Sequence, residues 1–464
     1  MRIFGHYIRR RVLMLAGAEL LVAYLCLYAV LTLPPFQPEA LSLLDPQLMV
    51  ATLVVLVVLT LAGLYESDYL ATHSTLRSLL RLVPAILVVG GLLLAYGAMV
   101  PAALFSPIAV GGGVLLLLTG LVAERTLWRN FSEADAFKRR VLVLGTGSRA
   151  CAIDTIHPDK YSEELPYRVI GYIATEGEKD CARDPGRHFL LGSDASLLDM
   201  AREHRVHEIV VAIRNRRHNL PIGQLLECKL NGVAVTDVSS FFERELQKVQ
   251  LDSLNASWLI FGEGFRQHWT RNAVKRTFDV LASATLLAAT LPVMLATALA
   301  IKLESRGPVF YWQTRVGQGN VPFEVCKFRS MREDAEVDGV ARWAVHDDDR
   351  ITRVGRIIRK LRIDELPQVI NVFQGSMSFV GPRPERPVFV GQLTEQIPYF
   401  PARHTIRPGI TGWAQVRYPY GASVEDARQK LQYDLYYVKN HTLFLDILIL
   451  FETVKVVLFG RGAR

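Results

Sequence analysis

The sequence predicts a membrane protein in three parts: four amino-terminal transmembrane helices, an α/β domain with a parallel sheet, and a charge-rich carboxy-terminal region entered through one more apolar helix. Three observations predict this. Four apolar runs near spanning length occupy the first 125 residues. A glycine-rich turn then opens alternating strand and helix patterns, and beyond residue 270 an apolar run interrupted by proline leads into arginine-dense sequence. Half of the 464 residues are hydrophobic and the mean hydropathy is +0.21, as expected of a membrane protein with substantial polar mass. The net charge of +8 suits anionic lipid or phosphorylated substrates, and nucleic acid is not an expected partner of such a chain. Cys26, Cys151, Cys181, Cys228 and Cys326 form no close pair, which argues against a disulfide framework or a CxxC zinc site and fits a reducing, cytosol-facing setting.

The apolar runs at 12–33, 48–65, 82–100 and 107–123 place a four-helix transmembrane domain within residues 1–130. The first run is long and ends without a small-residue cleavage site, so it reads as a helix and not a signal peptide. Orientation follows from Lys and Arg. Arg9, Arg10 and Arg11 precede the first run, Arg77 and Arg81 separate the second from the third, and Arg125, Arg129, Lys138, Arg139 and Arg140 follow the fourth. The other two loops contain none, so the amino terminus and everything after the fourth helix are expected in the cytosol.

The next domain is expected over 135–245. In "RRVLVLGTGSRA" a strand over Val141–Leu144 meets Gly145, Gly147 and Ala150, the GxGxxA spacing of a Rossmann-type turn. "YRVIGYI", "HEIVVAI" and "GVAVTDV" read as further buried strands, with "DASLLDMAREHR" and "IGQLLECKL" as helices between them. The glycines either admit a pyrophosphate-bearing cofactor to the helix terminus or merely permit a tight turn; no acidic residue ends a clear second strand about twenty residues on, which favours the turn. Short-chain dehydrogenase chemistry would need a tyrosine with a lysine four residues later, and no tyrosine stands between Tyr172 and Tyr311.

Residues 246–272 read as a connector. The apolar run that follows, 280–301, carries no charge and is just long enough to span as a helix, yet Pro292 sits near its middle. Lys275 and Arg276 precede it and Lys302 and Arg306 follow, so the cytosol-favouring signal stands at both ends. From Gly307 onward the sequence offers groups suited to phosphate, first Arg315, Lys327 and Arg329. In "DRITRVGRIIRKLRIDELPQ", Arg350, Arg353, Arg356 and Arg359 recur every third position with Val354, Ile357, Ile358 and Leu361 between them, giving a helix one basic and one apolar face. The outer arginines suit anionic headgroups, and Arg359, beside the acids, suits substrate. Asp364 and Glu365 follow; set among cations they are expected to stay ionised, for metal binding or for attack at phosphorus. "GPRPERP" presents Arg383 and Arg386 on a stiff backbone, and "RPGITGWAQ" adds Arg407, Thr411 and a glycine turn bare enough for phosphate to approach.

These motifs carry a resemblance. "KFRSM", "IDELPQVINVFQGSMSFVGPRPE" and "RPGITGWAQV" are similar to the bacterial sugar transferases, the monotopic polyprenyl-phosphate hexose-1-phosphate transferases, and the preceding helices and Rossmann-like domain resemble the large exopolysaccharide-associated members. The resemblance implies a mainly helical catalytic domain over 273–464, anchored by a re-entrant helix at 277–303 that turns back at Pro292. It implies transfer of a sugar-1-phosphate from a UDP-sugar to a polyprenyl phosphate at the cytoplasmic face of the bacterial inner membrane, leaving UMP and a diphosphate-linked lipid sugar. Asp364 would be the nucleophile that forms an aspartyl-phosphosugar, and Glu365, with Asp364, would bind Mg²⁺. Lys327, Arg329, Arg359, Arg383, Arg386 and Arg407 would bind substrate phosphate. Shorter members place Gly-Arg-Asn after the tryptophan turn where this chain has "VRYPYGAS", so Arg417 stands in as a nucleotide candidate. Asp434 and Tyr437 serve either the nucleotide or helix packing. Partners would be the UDP-sugar, the polyprenyl phosphate, the bilayer, and other polysaccharide-assembly proteins or a second copy. Two alternatives stay open: an inactive scaffold, and a sugar-only transferase that releases UDP.

Overall fold

The computed structural model describes residues 2–3, 6–7, 10–33, 42–65, 75–100, 104–132, 138–154, 167–174, 188–190, 196–213, 220–251, 265, 269–332, 350–419, 421 and 423–459. Most of the expected connector lies outside them. Two compact units emerge: one spans residues 8–246, and the other combines residues 2–7 with 247–464.

In the first unit, α1 (Arg10–Thr32), α2 (Pro46–Leu61), α3 (Thr75–Met99) and α4 (Pro107–Ser132) form a closed bundle in which α1 packs on α2 and α4, and α3 packs on the same two. Helices α1, α3 and α4 are long and apolar enough to cross a membrane, while α2 is an apolar helix of 16 residues. Leu27, Leu48, Leu59, Val89 and Leu117 fill the bundle, and leucines such as Leu21, Leu53, Leu87 and Leu115 face outward, the inverse of a water-soluble surface. Helices α1 and α4 approach closely at Gly120, where a Cβ would lie 2.8 Å from Cys26 Sγ. The sequence pattern puts Arg81 and Arg125 outside the apolar runs, but the helices extend to include them. Arg125 there pairs with buried Glu19 at 2.5 Å, and Tyr65 also donates to Glu19.

The α/β part holds a five-stranded parallel sheet of β3 (Arg139–Leu144), β4 (Tyr167–Ala174), β5 (His188–Leu190), β6 (Glu208–Val211) and β7 (Ala234–Asp237), in the order β5-β4-β3-β6-β7. This is the doubly wound order. The central strand β3 is buried on both faces: Val141 and Val143 pack with Phe241 and Phe242, and Leu142 and Leu144 with Leu197 and Leu198. Gly145 ends β3 at φ 118°, a conformation open to glycine, and α5 (Ser148–Asp154) begins three residues on. The expected turn over Gly145, Gly147 and Ala150 is therefore present, and Ala150 is fully buried beneath it. Helices α6 (Leu197–Glu203) and α7 (Ile222–Leu230) match the expected pair. Helix α8 (Val238–Leu246) lies at the end of the expected domain and completes its core, with Phe241 and Phe242 against β3 and Arg244 clamping Glu208 at 2.8 Å.

The second unit opens with two strands from the chain's start, β1 (Arg2–Ile3) and β2 (His6–Tyr7), an antiparallel hairpin. His6 is 4% exposed, edge-on to Trp413 and bonded through Nδ1 to the Tyr436 hydroxyl at 2.9 Å. Helix α9 (Trp269–Glu304) runs 36 residues with Pro292 inside it, so the chain is not divided into two helices at the proline. Next come an antiparallel hairpin of β8 (Phe310–Val316) and β9 (Pro322–Phe328), then α10 (Arg353–Lys360) and α11 (Gln368–Gln374). Strand β10 (Ser378–Val380) pairs in parallel with β11 (Gly409–Thr411), across α12 (Pro387–Gln396) and a 3-10 segment, Phe400–Thr405. Helices α13 (Trp413–Arg417), α14 (Val424–Asn440) and α15 (Leu443–Phe459) close the unit, whose core joins Val372, Val380, Trp413, Leu435, Tyr436 and Ile449.

Candidate active site

The carboxylate pair lies in a sharp turn between two short helices. Thr352 caps α10 by accepting from Gly355 N, and the Glu304 carboxylate accepts the backbone N–H groups of Arg353 and Val354 at 2.7 and 3.0 Å. Of the expected apolar face, Ile358 is buried, whereas Ile357 and Leu361 stand exposed beside the arginines. After α10, Arg362 adopts φ 57°, a left-handed conformation that turns the chain, and one 3-10 turn carries Ile363, Asp364 and Glu365. Pro367 then starts α11.

The turn sets the two acids in different surroundings. Glu365 Oε1 accepts from Arg383 Nη2 at 2.7 Å and Lys327 Nζ at 3.3 Å. Burial pushes its carboxyl up, but Arg383 and Lys327 outweigh burial and hold it well below the usual carboxylate range. Asp364 behaves oppositely. Burial and the neighbouring Glu365 charge push it up to about 6, against the pull of Lys327, Arg359 and Arg362. The two acids are thus not held ionised alike: near neutral pH both are mainly carboxylates, but Asp364 sits closer to protonation because depth and a like charge outweigh the cations. Burial also lowers the Lys327 ammonium, with Glu365 opposing.

Neighbouring strands deliver the cations. Lys327 comes from β9, and Arg315 on β8 donates to the Pro384 carbonyl at 3.1 Å, strapping "GPRPERP" to the hairpin. Val316 N to Glu385 O, 2.9 Å, adds a second strap. The glycines have a different use from the one expected. A Cβ on Gly409 would lie 2.1 Å from Gly381 N, and one on Gly381 would lie 2.4 Å from Arg407 O, so these positions are bare to let the two motif loops cross, not to admit phosphate.

Of the residues expected at phosphate, the structure brings Lys327, Arg359 and Arg383 to the dyad. Arg386 stands at the start of α12, close enough to Arg315 for their charges to oppose. The Arg407 carbonyl stands where it would meet a Cβ on Gly381. Arg329 is corrected: its buried guanidinium donates to the carbonyls of Arg306 and Ser305 at 2.7 and 3.1 Å and so terminates α9. Asp434 is buried against Arg403 at 2.8 Å. Tyr437 is fully buried and donates to Val380 O and Asp446, which leaves the packing reading for it. Arg417 stacks on Trp413 at 4.4 Å and donates to Gln247 Oε1. Arg362 and Arg403 escaped sequence reading: the first adjoins the dyad in sequence and its proximity was a usable signal, whereas "PARHT" offers none.

Asp364 Oδ1 is buried without a hydrogen-bond partner among the described residues, which leaves that oxygen uncommitted and its carboxylate able to share a cation through the other. No group of three or more His, Cys, Asp or Glu gathers among those residues, so a divalent ion here would need substrate oxygens and water to complete its shell, as Mg²⁺ prefers.

The bacterial sugar transferase family matches residues 270–460, the whole of this site. A UDP-glucose:undecaprenyl-phosphate glucose-1-phosphate transferase of Xanthomonas campestris pv. campestris is 32% identical over 355 residues, 75% of this chain and 73% of its own. The chain belongs to the bacterial sugar transferase family. A UDP-N-acetylgalactosamine-undecaprenyl-phosphate N-acetylgalactosaminephosphotransferase of Aeromonas hydrophila is 45% identical over 240 residues, 52% of this chain; the match spans only 56% of that relative's length. An exopolysaccharide production protein of Rhizobium leguminosarum bv. phaseoli is 45% identical over 187 residues, 39% of this chain and 93% of its own length. In this family member the dyad, Lys327 and Arg383 all fall within the matched segment, while the hairpin at residues 2–7 and the α/β domain lie before it.

Proposed function

We propose that this sugar transferase moves a sugar-1-phosphate from a UDP-sugar to a polyprenyl phosphate at the cytoplasmic face of the bacterial inner membrane, yielding a polyprenyl-diphospho-sugar and UMP. The observation that carries this is the asymmetry of the dyad. Glu365 is held by two cations and has lost basicity; Asp364 keeps an unpartnered oxygen and greater basicity, so it is the better nucleophile. Asp364 Oδ1 attacks the sugar-bearing phosphorus, the bond to the bridging oxygen breaks, and UMP departs with that oxygen. A phosphate oxygen of the lipid then attacks the same phosphorus and frees the carboxylate. Mg²⁺, held by Asp364 and Glu365, would offset charge on the phosphate oxygens. Lys327, Arg359 and Arg383 orient the diphosphate and screen it from the dyad. The names of the relatives support undecaprenyl phosphate as lipid and exopolysaccharide as the product class.

The same reading makes α9 re-entrant. Near its start Lys275 binds Asp446 at 2.6 Å, Met294 and Ile301 pack with Phe328 and Ile358, and Glu304 at its end caps α10. Two ends fastened to one water-facing unit are hard to reconcile with ~30 Å of hydrocarbon between them. Leu281, Leu291, Leu295 and Leu299 remain exposed for lipid. Because residues 2–7 share a unit with the transferase domain, the chain between must cross the membrane an even number of times, which favours counting α2 as a crossing although it is only about 24 Å long. Incubating purified membranes with a panel of UDP-sugars and undecaprenyl phosphate tests the reaction: UMP release supports it, UDP release indicates transfer of sugar alone, and neither nucleotide indicates a scaffold.

A further inference from the structure

Arg383 reaches Glu365 from a loop whose backbone is fastened on both sides. Gly381 N donates to Thr411 O at 2.9 Å before it, and Glu385 O accepts from Val316 N after it. Pro382 and Pro384 flank it and stiffen the backbone between those fastenings. The carbonyl of Arg383 itself accepts from Nη2 of Arg403 at 2.9 Å. That same nitrogen lies 2.8 Å from Asp434 Oδ2, with both side chains almost wholly buried, and the guanidinium rests over the Phe400 ring at 5.1 Å. A continuous series of contacts therefore joins a buried acid on α14 to the dyad: Asp434 to Arg403, Arg403 to the Arg383 peptide, and the Arg383 side chain to Glu365 at 2.7 Å.

A buried ion pair is a poor device for stability alone, since apolar side chains of equal volume commonly serve as well or better. Here the pair has a second outlet, the Arg383 carbonyl, and a planar guanidinium packed over a ring holds the nitrogen between acid and carbonyl in one fixed direction, where an ammonium on a flexible stem would not. We propose that Arg403, held by Asp434, is a positioning residue that fixes the Arg383 peptide and so aims the Arg383 guanidinium at Glu365 and the sugar-bearing phosphate. This rests on the assignment of Arg383 to the phosphate site.

A double-mutant cycle on the full chain tests it, with UMP release normalised to folded enzyme and thermal melting measured alongside. Arg403→Lys should lower kcat/KM about tenfold, chiefly in kcat. In an Arg383→Lys background, the same change should cost less than about twofold, because the residue it aims is already replaced. Losses that simply multiply would overturn the proposal, as would Arg403→Lys enzyme that melts earlier but turns over normally per folded molecule. Should Arg403→Lys fail to accumulate, Asp434→Asn keeps the shape and is expected to show a smaller loss with the same non-additivity; multiplying losses there also refute it. An Arg383→Lys enzyme at full activity would instead refute the site assignment itself and the proposal with it.

Discussion

Lowering the pH from 7 to 5 should slow formation of the covalent phosphosugar adduct about tenfold, because Asp364 takes up a proton in this window. Burial and the Glu365 charge set its carboxyl at about 6, above the ordinary aspartate value. A protonated oxygen does not attack phosphorus, so activity is present above the raised value and is lost as pH falls through it. The ionised fraction drops from about 0.9 at pH 7 to about 0.1 at pH 5. Against the upward push of burial, Arg383 and Lys327 keep Glu365 anionic throughout, so it adds no second inflection. The lipid acceptor must be left out, since a phosphate monoester titrates near pH 6 itself. The assay is single-turnover labelling with UDP-sugar at limiting Mg²⁺, read by intact mass, with circular dichroism at each pH to establish that the protein stays folded. Raised Mg²⁺ should move the inflection down, and Arg359→Gln should move it up by removing a cation that favours the carboxylate. An inflection near pH 4 at limiting Mg²⁺, or a flat profile down to pH 5, would show that the attacking group is not this buried aspartate.

The two acids should fail differently. Asp364→Asn should abolish the adduct and reduce turnover to background, whereas Glu365→Gln should cripple turnover yet leave slow labelling at raised Mg²⁺; an adduct on the Asp364→Asn protein would move the nucleophile elsewhere. Cysteines introduced at Asn272 and Arg306, before and after the apolar stretch of α9, should both react only with cytoplasmic reagent, and labelling of the second from outside would make the helix a crossing. His6→Ala should destabilise the transferase unit by about 2 to 4 kcal/mol, through loss of the Tyr436 hydrogen bond and the packing on Trp413. Melting at the wild-type temperature would mean that the amino-terminal hairpin is only resting on the surface.

What could be read in advance was local. Apolar runs of spanning length, the glycines that end β3 and the "IDELPQ" and "GPRPERP" motifs each announce themselves within a dozen residues. The rest depends on partners distant in sequence. His6 meets Tyr436 across 430 positions, and nothing in "GHY" foretells it. Arg329 looks like another phosphate ligand until the end of α9 is found against it, and Asp434 like a nucleotide contact until Arg403 is. Gly381 and Gly409 have a glycine signature legible as freedom for a ligand; only the crossing of the two loops shows that backbone takes that space. Helix α8 was hidden for another reason. Its "FFEREL" mixes core phenylalanines with two buried acids, of which Glu245 pairs with Arg139 and Arg244, so polarity there does not mark a surface.

The charge around the dyad bears on why the exchange should pass through the enzyme at all. Lys327, Arg359, Arg362 and Arg383 surround Asp364 and Glu365, and Arg315 stands behind with its charge turned partly to Glu385. Two of those positive charges balance the dyad itself, leaving roughly two or three for a ligand. A bound UDP-sugar carries about two negative charges on its diphosphate, and a lipid phosphate near neutral pH carries between one and two. Either alone matches the surplus. Both together exceed what these side chains supply and would draw on the full charge of a bound Mg²⁺ as well, and at a few ångströms in a half-buried site each charge left unmatched costs on the order of several kcal/mol. A direct transfer would have to hold both at once. Passing the phosphosugar to Asp364 cancels one carboxylate charge, lets UMP leave with its own, and presents the acceptor with a site whose cations are again in excess. The same surplus that attracts the donor is thereby restored for the acceptor, which favours the two-step route over direct displacement.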